Sequence, residues 1–361
     1  MKFHYLLISL VIIIFILLSH SGFRLRKNNN PLFPYYLIFS LLLIFGNIYT
    51  NAPQYALFKT FLFTSVLFPF MLTSHFDFDM KRYLILFSIL LLGLFYLKFG
   101  NPLNLASSSD VFFRLNSEDN NPIIISRGLS LALIIFFFSF RNSSSIFEKI
   151  FKAFIILNLL IFIYITGSRG PVLSLIIALF FYLFYNIQNG TLGVRKFLII
   201  AVPALLIISY FISKFSFLFQ NRLFDKVSAY DSMDVRLEPQ VFLITDFLEQ
   251  NMFNILFGTG TGNFGYAYTG RDFSEYPHNI FLEIIYENGI FSLIIFLCVL
   301  FVLFYHFFKG NIIKKNIYFF VISIFFLVNA QFSGDLSSNV FFFVFAYFST
   351  SNLSCRFLNQ V

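Results

Sequence analysis

Long apolar runs, broken at short intervals by polar or charged clusters, dominate this chain. A spanning helix needs about 20 mostly apolar residues, and on that ruler eleven spans are predicted: 3–20, 35–50, 54–74, 82–99, 123–140, 150–166, 170–187, 197–215, 290–308, 317–333 and 338–351. The second and sixth are short and the last ends in Ser349-Thr350-Ser351-Asn352, so the count runs from ten to twelve. One interruption differs from the rest. The stretch 216–289 holds ten of the seventeen acidic residues together with Arg222, Lys226, Arg236 and Arg271, and is far too polar to lie in lipid. Within it Pro239 opens a helix that puts Val241, Ile244, Phe247, Leu248 and Met252 on one face and turns Asp246, Glu249 and Gln250 away. Such a helix either lies along the membrane surface or packs on the ends of the spans.

Composition agrees. The chain is 58% hydrophobic and 12% charged, whereas a soluble domain carries about 25% charged residues. Soluble enzymes and disordered tails are thereby excluded, and the expectation is a single all-α integral membrane domain over 1–361, a polytopic bundle with one large loop at 216–289. Cys298 and Cys355 supply neither a disulfide framework nor the spacing of a zinc site. The net charge of +8 comes in small groups between apolar runs and not in a continuous stripe, so nucleic acid is not an expected partner and the bilayer is.

Those groups report orientation, because short cytoplasmic loops retain Lys and Arg. Loops after odd-numbered spans carry Arg24, Arg26 and Lys27; Lys81 and Arg82; Arg141, Lys149 and Lys152; Arg195 and Lys196; Lys309, Lys314 and Lys315. The short loops after even-numbered spans carry Arg114 and Arg169 and little else. The N-terminus is therefore expected outside, the C-terminus with Arg356 inside, and the large loop outside. A signal peptide with Lys2 as its charged start is the alternative for the first run, and Arg24, Arg26 and Lys27 argue against it by resembling a stop at the cytoplasmic face.

Several polar residues on the outer side are candidates for chemistry. The loop Gly258-Thr259-Gly260-Thr261-Gly262-Asn263-Phe264-Gly265 is either a turn between helices or, through Gly260 and Gly262, a contact for pyrophosphate or sugar. After Pro277 come His278 and then Asn279, Glu283 and Glu287, spaced to share one helical face running into the ninth span. An imidazole in such company is a candidate general base. Arg114, Arg127, Arg169 and Arg236 fall on the same side, where guanidinium forks grip phosphate oxygens. Arg114 and Arg236 alternatively are merely solvated or pair with Glu118, Asp119 or Asp234. An Arg in or at a span marks a ligand path or a buried ion pair, which applies to Arg127 and Arg169. Lys59, inside the third span, is either a further case or snorkels outward.

Thr166-Gly167-Ser168-Arg169-Gly170, an Arg in the large loop, the Gly-x-Gly-x-Gly stretch, and Pro277-His278-Asn279 running into Leu282-Glu283 and Glu287-Asn288-Gly289 together resemble the O-antigen polymerase and O-antigen ligase superfamily, over about residues 110–310. The resemblance implies a helical membrane fold grouped with lipid-carrier-dependent glycosyltransferases of the GT-C type, in the bacterial inner membrane, with a periplasmic active site and no metal or other cofactor. It implies a glycan on undecaprenyl pyrophosphate as donor, and a flippase and a chain-length regulator of the same pathway as partners. By the same resemblance Arg169 and Arg236 bind and neutralise the lipid pyrophosphate, and His278 orients or deprotonates the acceptor hydroxyl. Glu283 either fixes the tautomer of His278 or binds sugar hydroxyls, with Arg127 and Arg114 in the second rank. Ligases of the superfamily usually have twelve spans with both ends inside, so an odd count favours a polymerase of lipid-linked repeat units over a ligase acting on lipid A–core. A transporter fits less well, since its charged residues would sit near the bilayer midplane.

Overall fold

The structure is a computed structural model of the chain and describes residues 30–73, 80–99, 122–141, 145–166, 168–190, 226–309 and 313–351. Among them the chain is all-helical. The helices are α1 (Phe33–Gly46), α2 (Pro53–Thr73), α3 (Met80–Phe99), α4 (Pro122–Arg141), α5 (Ile146–Thr166), α6 (Arg169–Gln188), α7 (Lys226–Leu248), α8 (Met252–Phe257), α9 (Asn263–Thr269), α10 (Ile280–Lys309), α11 (Ile313–Asn329) and α12 (Val340–Thr350). Nine of the eleven expected runs coincide with one of these helices, while the runs at 3–20 and 197–215 lie outside the described residues. Among the described residues four stretches are long and apolar enough to cross a membrane by length and composition: Pro53–Leu72, Pro122–Ser139, Arg169–Gln188 and Ile280–Lys309. Phe33–Gly46, Leu84–Leu94, Asn316–Asn329 and Val340–Thr350 are apolar and shorter.

The chain divides into two compact units, one formed from 1–79 with 234–361 and the other from 80–233. In the second unit α4 packs against α3, α5 and α6. Its contact face carries the buried small residues Ser126, Ser130 and Ala132, which let helices approach closely.

In the first unit α1, α2, α10 and α12 meet around aromatic rings, and α11 packs along α12. Phe343 of α12 is fully buried and lies 5.0 Å from Phe63, 5.5 Å from Phe39, 5.6 Å from Tyr36 and 5.7 Å from Phe296, measured between ring centroids. Three other helices thus converge on one ring. Tyr36 also donates its hydroxyl to the Phe343 carbonyl at 2.8 Å, fixing the height of α1 along α12.

Two local features depart from the sequence pattern. Helix α7 contains Pro239 in its interior and not at its start, which removes one backbone hydrogen bond there. Its buried side is set by Leu243, which with Phe264 and Tyr286 forms a small core joined by the partly buried Phe242 and Phe247. Asp246, expected to point away, accepts the Tyr286 hydroxyl at 2.6 Å. Val241, Ile244 and Leu248 are left exposed, as a surface-lying helix requires, and Met252 starts α8 behind Asn251, whose side chain caps it by accepting from the Asn254 N–H at 2.9 Å. The second feature is in α10. Gly289, at φ 76° and ψ −179°, breaks it between a polar segment and the apolar run expected from residue 290.

A Phe343→Ala substitution should lower stability by about 3–5 kcal/mol through the cavity it leaves, whereas Phe343→Leu should cost less. Thermal unfolding of the detergent-solubilised protein measures both, and an unchanged midpoint for the alanine variant would show that the rings do not hold these helices together.

Candidate active site

Pro277 and Asn279 bracket His278 just before α10. The side-chain oxygen of Asn279 accepts the N–H groups of Phe281 at 3.0 Å and Leu282 at 3.2 Å, so it caps the helix. Directly before this cap, His278 adopts φ 56°, the left-handed region that a residue with a Cβ occupies only when its surroundings impose it. One constraint is the 330–339 turn between α11 and α12: the Ile280 N–H donates to the Ala330 carbonyl at 3.1 Å, and the imidazole is hydrogen-bonded to the Phe332 backbone. Another is Tyr276, whose ring meets the imidazole edge-on at 4.6 Å. Nδ1 is buried with no hydrogen-bond partner, which puts the proton on Nε2 and leaves Nδ1 with a lone pair.

Electrostatics keep that lone pair available. Burial disfavours the imidazolium, the Arg236 guanidinium repels it, and the Phe332 backbone offsets only part, so the pKa falls to about 4. His278 is therefore neutral at physiological pH. Arg236, reached from α7, is close enough to act on it electrostatically, which brings together two of the expected site residues.

Behind the histidine lies a charge cluster. Lys59 of α2 is 1% exposed and forms ion pairs with Glu283 and, at 2.5 Å, with Glu287. It does not snorkel. Glu283 Oε1 also accepts the Leu336 N–H at 2.8 Å, and Glu287 Oε2 accepts the Gly262 N–H at 2.8 Å. Asp335 completes the cluster, accepting from the Tyr55 hydroxyl, from Ser337 Oγ at 2.8 Å and from the Ser338 N–H at 2.9 Å. Burial would raise the Asp335 carboxyl, but Lys59 and the hydrogen bonds from Ser338 and Tyr55 outweigh it and hold the pKa below its ordinary value. Burying such charges is tolerable because the ammonium and backbone or hydroxyl donors replace most of the lost water, Glu287 Oε1 alone of the named carboxylate oxygens being left without a partner, and removing one partner of such a pair costs about 3–5 kcal/mol. Glu283 and Glu287 thus share a helical face as expected, with Glu283 committed to Lys59 and Leu336. Asp335 and Tyr55 were not anticipated. The available signal was that Asp335 is the one charged residue between Lys315 and Arg356.

The glycine loop forms the turn between α8 and α9. The N–H groups of residues 258–263 are engaged: Gly258 to Asn254, Thr259 to Tyr286, Gly260 to Glu287 and Thr261 to Gly46, all backbone carbonyls, with Gly262 on the Glu287 carboxylate and Asn263 on the Gly260 carbonyl. A Cβ at Gly260 would meet Thr50 Cα at 2.6 Å, and one at Gly258 the Glu287 carbonyl at 2.2 Å. As it stands, the loop turns these donors to its own chain, and the small residues let α2 and α10 close on it.

The other arginines belong to the second unit. Arg127 is 7% exposed within α4, and its Nε lacks a hydrogen bond while the residue has other interactions. Arg169 is exposed at the first turn of α6, behind Ser168. Arg114 and Gly167 lie outside the described residues.

Carbethoxylation of His278 by diethyl pyrocarbonate, which needs the neutral ring, should keep its full rate from pH 7 down toward a midpoint near 4. A midpoint at the ordinary imidazole value of about 6.5, read by mass spectrometry across a pH series, would mean the ring is solvated and remote from Arg236.

No curated protein and no solved structure is matched by this chain. A family model described as O-Antigen ligase matches residues 153–297. That segment includes Arg169, Arg236, the glycine loop, His278 and Glu283, and leaves Lys59 and Asp335 outside. The histidine and its neighbouring arginine both fall within the matched segment, and over that segment the chain is similar to the O-antigen ligase family.

Proposed function

We propose that this protein is a polymerase of O-antigen or capsular repeat units, joining undecaprenyl-pyrophosphate-linked glycans on the periplasmic face of the bacterial inner membrane. The observation that carries the reading is the neutral, Nε2-tethered His278 with its unpartnered Nδ1 beside Arg236. In the proposed step an acceptor sugar hydroxyl gives its proton to Nδ1 while its oxygen bonds to the donor's anomeric carbon. The bond from that carbon to the lipid pyrophosphate breaks, and the leaving diphosphate takes the electron pair. Arg236 and Arg169 neutralise the charge that develops on it, with Arg127 and Arg114 assisting from the second rank. The acceptor has to displace a neighbour to reach Nδ1, which is buried with the Tyr276 ring packed against the imidazole.

The proposed setting is a single membrane domain of about eleven spans with the N-terminus outside and the 216–289 loop in the periplasm, and the odd span count is what favours polymerisation. A second reading, transfer of the finished glycan to lipid A–core, is favoured by the ligase description of the matching family model.

A lipopolysaccharide gel from a strain lacking the protein separates the two. Core bearing a single repeat unit is the expected result. Bare core with long lipid-linked polymer accumulating inside would establish the ligase, and bare core without that polymer would turn the assignment to transport. His278→Ala and Arg169→Ala should abolish activity at normal membrane abundance, and Arg236→Gln should cost about 10²–10³-fold in rate. Full activity in any of the three removes that residue from the mechanism.

A further inference from the structure

The buried ion cluster takes no part in the proton transfer proposed above, yet the start of α10 and the 330–339 turn, which seat His278, are both fastened to it. Lys59 holds Glu283 and Glu287 of α10 at once, one helical turn apart. Glu283 in turn accepts the Leu336 N–H at 2.8 Å, and Asp335 takes the Tyr55 hydroxyl from the same α2 that supplies Lys59. The 333–339 segment is therefore pinned on both sides. Its backbone is tightened further by Asn339 Nδ2, which donates to the carbonyls of Ser333, Gly334 and Asp335 at 3.2, 2.9 and 3.0 Å. The same turn supplies the Ala330 carbonyl to the start of α10 and the Phe332 backbone to the imidazole. Both ends of the left-handed His278 residue are thus set by elements that converge on one ammonium.

We propose that Lys59 is a positioning residue for His278: by joining Glu283 and Glu287 to α2, it locks the start of α10 and the 330–339 turn in the register that holds the imidazole on the Phe332 backbone with Nδ1 unpartnered. An ionic hub suits this task better than apolar packing. Leucine-like contacts tolerate sliding, whereas an ammonium with carboxylate acceptors on successive turns, each also bonded to a backbone N–H, has one low-energy arrangement. The residue lies outside the segment matched by the family model, so the matched domain depends on a side chain from before it.

The proposal rests on His278 as the base, and its test separates the two. Full-length protein carrying Lys59→Met is reconstituted in proteoliposomes with a polyprenyl-pyrophosphate-linked repeat unit. The expected result is a fall in kcat of about 10²-fold with the KM for the lipid-linked donor little changed. The carbethoxylation midpoint of His278 should also rise from about 4 toward the ordinary imidazole value as the ring leaves its seat. Lys59→Arg, which keeps the charge, should recover part of both. Should Lys59→Met fail to accumulate in the membrane, Asp335→Asn loosens the same turn with little change of shape and should move both readouts the same way, by about tenfold in kcat. Wild-type kcat and an unshifted midpoint in whichever of these variants accumulates would overturn the positioning role. An active His278→Ala protein would instead overturn the base assignment and leave the midpoint comparison intact.

Discussion

One buried ammonium organises the first unit of this protein. Lys59 sits in α2 with almost no exposure and is answered by Glu283 and Glu287 from a helix more than two hundred residues further along the chain, with Asp335 close by. Charges so enclosed are tolerated only when pairing and hydrogen bonds replace the lost water. Here the Gly262 and Leu336 N–H groups, the Tyr55 hydroxyl and two serines supply most of those bonds. Four chain segments, α2, α10, the 330–339 turn and the glycine loop, are thereby held at a common point, and the first three supply its charges.

Close backbone approach makes the arrangement possible. The break at Gly289 needs a positive φ, and a Cβ there would meet the Leu256 carbonyl at 2.2 Å. The glycine loop fills the space thus opened, with Gly258 against the backbone of Glu287 and Asn288, and Gly260 against Thr50. A run of glycines that looks like an anion cradle in a sequence serves here to bring α2, α10 and the loop within carbonyl distance, so that Glu287 can reach the Gly262 N–H. Packing and electrostatics are one device: the small residues allow the approach, and the charges fix its register.

The chemistry proposed for His278 follows from that rigidity. A free imidazole would be partly protonated and poorly oriented, whereas burial and Arg236 keep this one neutral and the bond to the Phe332 backbone defines its tautomer. The segment 153–297 that matches the O-antigen ligase family model contains both the histidine and the arginine, and the proposed reaction asks them to deprotonate a hydroxyl near a departing diphosphate. The acceptor's identity depends on the shape of the surface around Nδ1, which motifs do not encode.

Much of this protein was legible before its structure. The positions of nine apolar helices followed from hydropathy alone, because a helix saturates its own backbone and needs only a long enough apolar run. His278 stood out for its polar neighbours, and the i, i+4 spacing of Glu283 and Glu287 put them on one face. Other features were not legible, each for a physical reason. The face of α7 that packs was decided by Phe264 and Tyr286, which only tertiary structure brings to Leu243. Lys59 read equally well as a snorkelling side chain, and Asp335 as an ordinary loop acid, because an ion pair across more than two hundred residues leaves no periodicity in either partner's neighbourhood. The sequence by itself determined the helices and the residue types at the site, both matters of local chemistry; tertiary structure alone decided which charges meet and which backbone donors are taken, because those depend on how closely distant segments can approach.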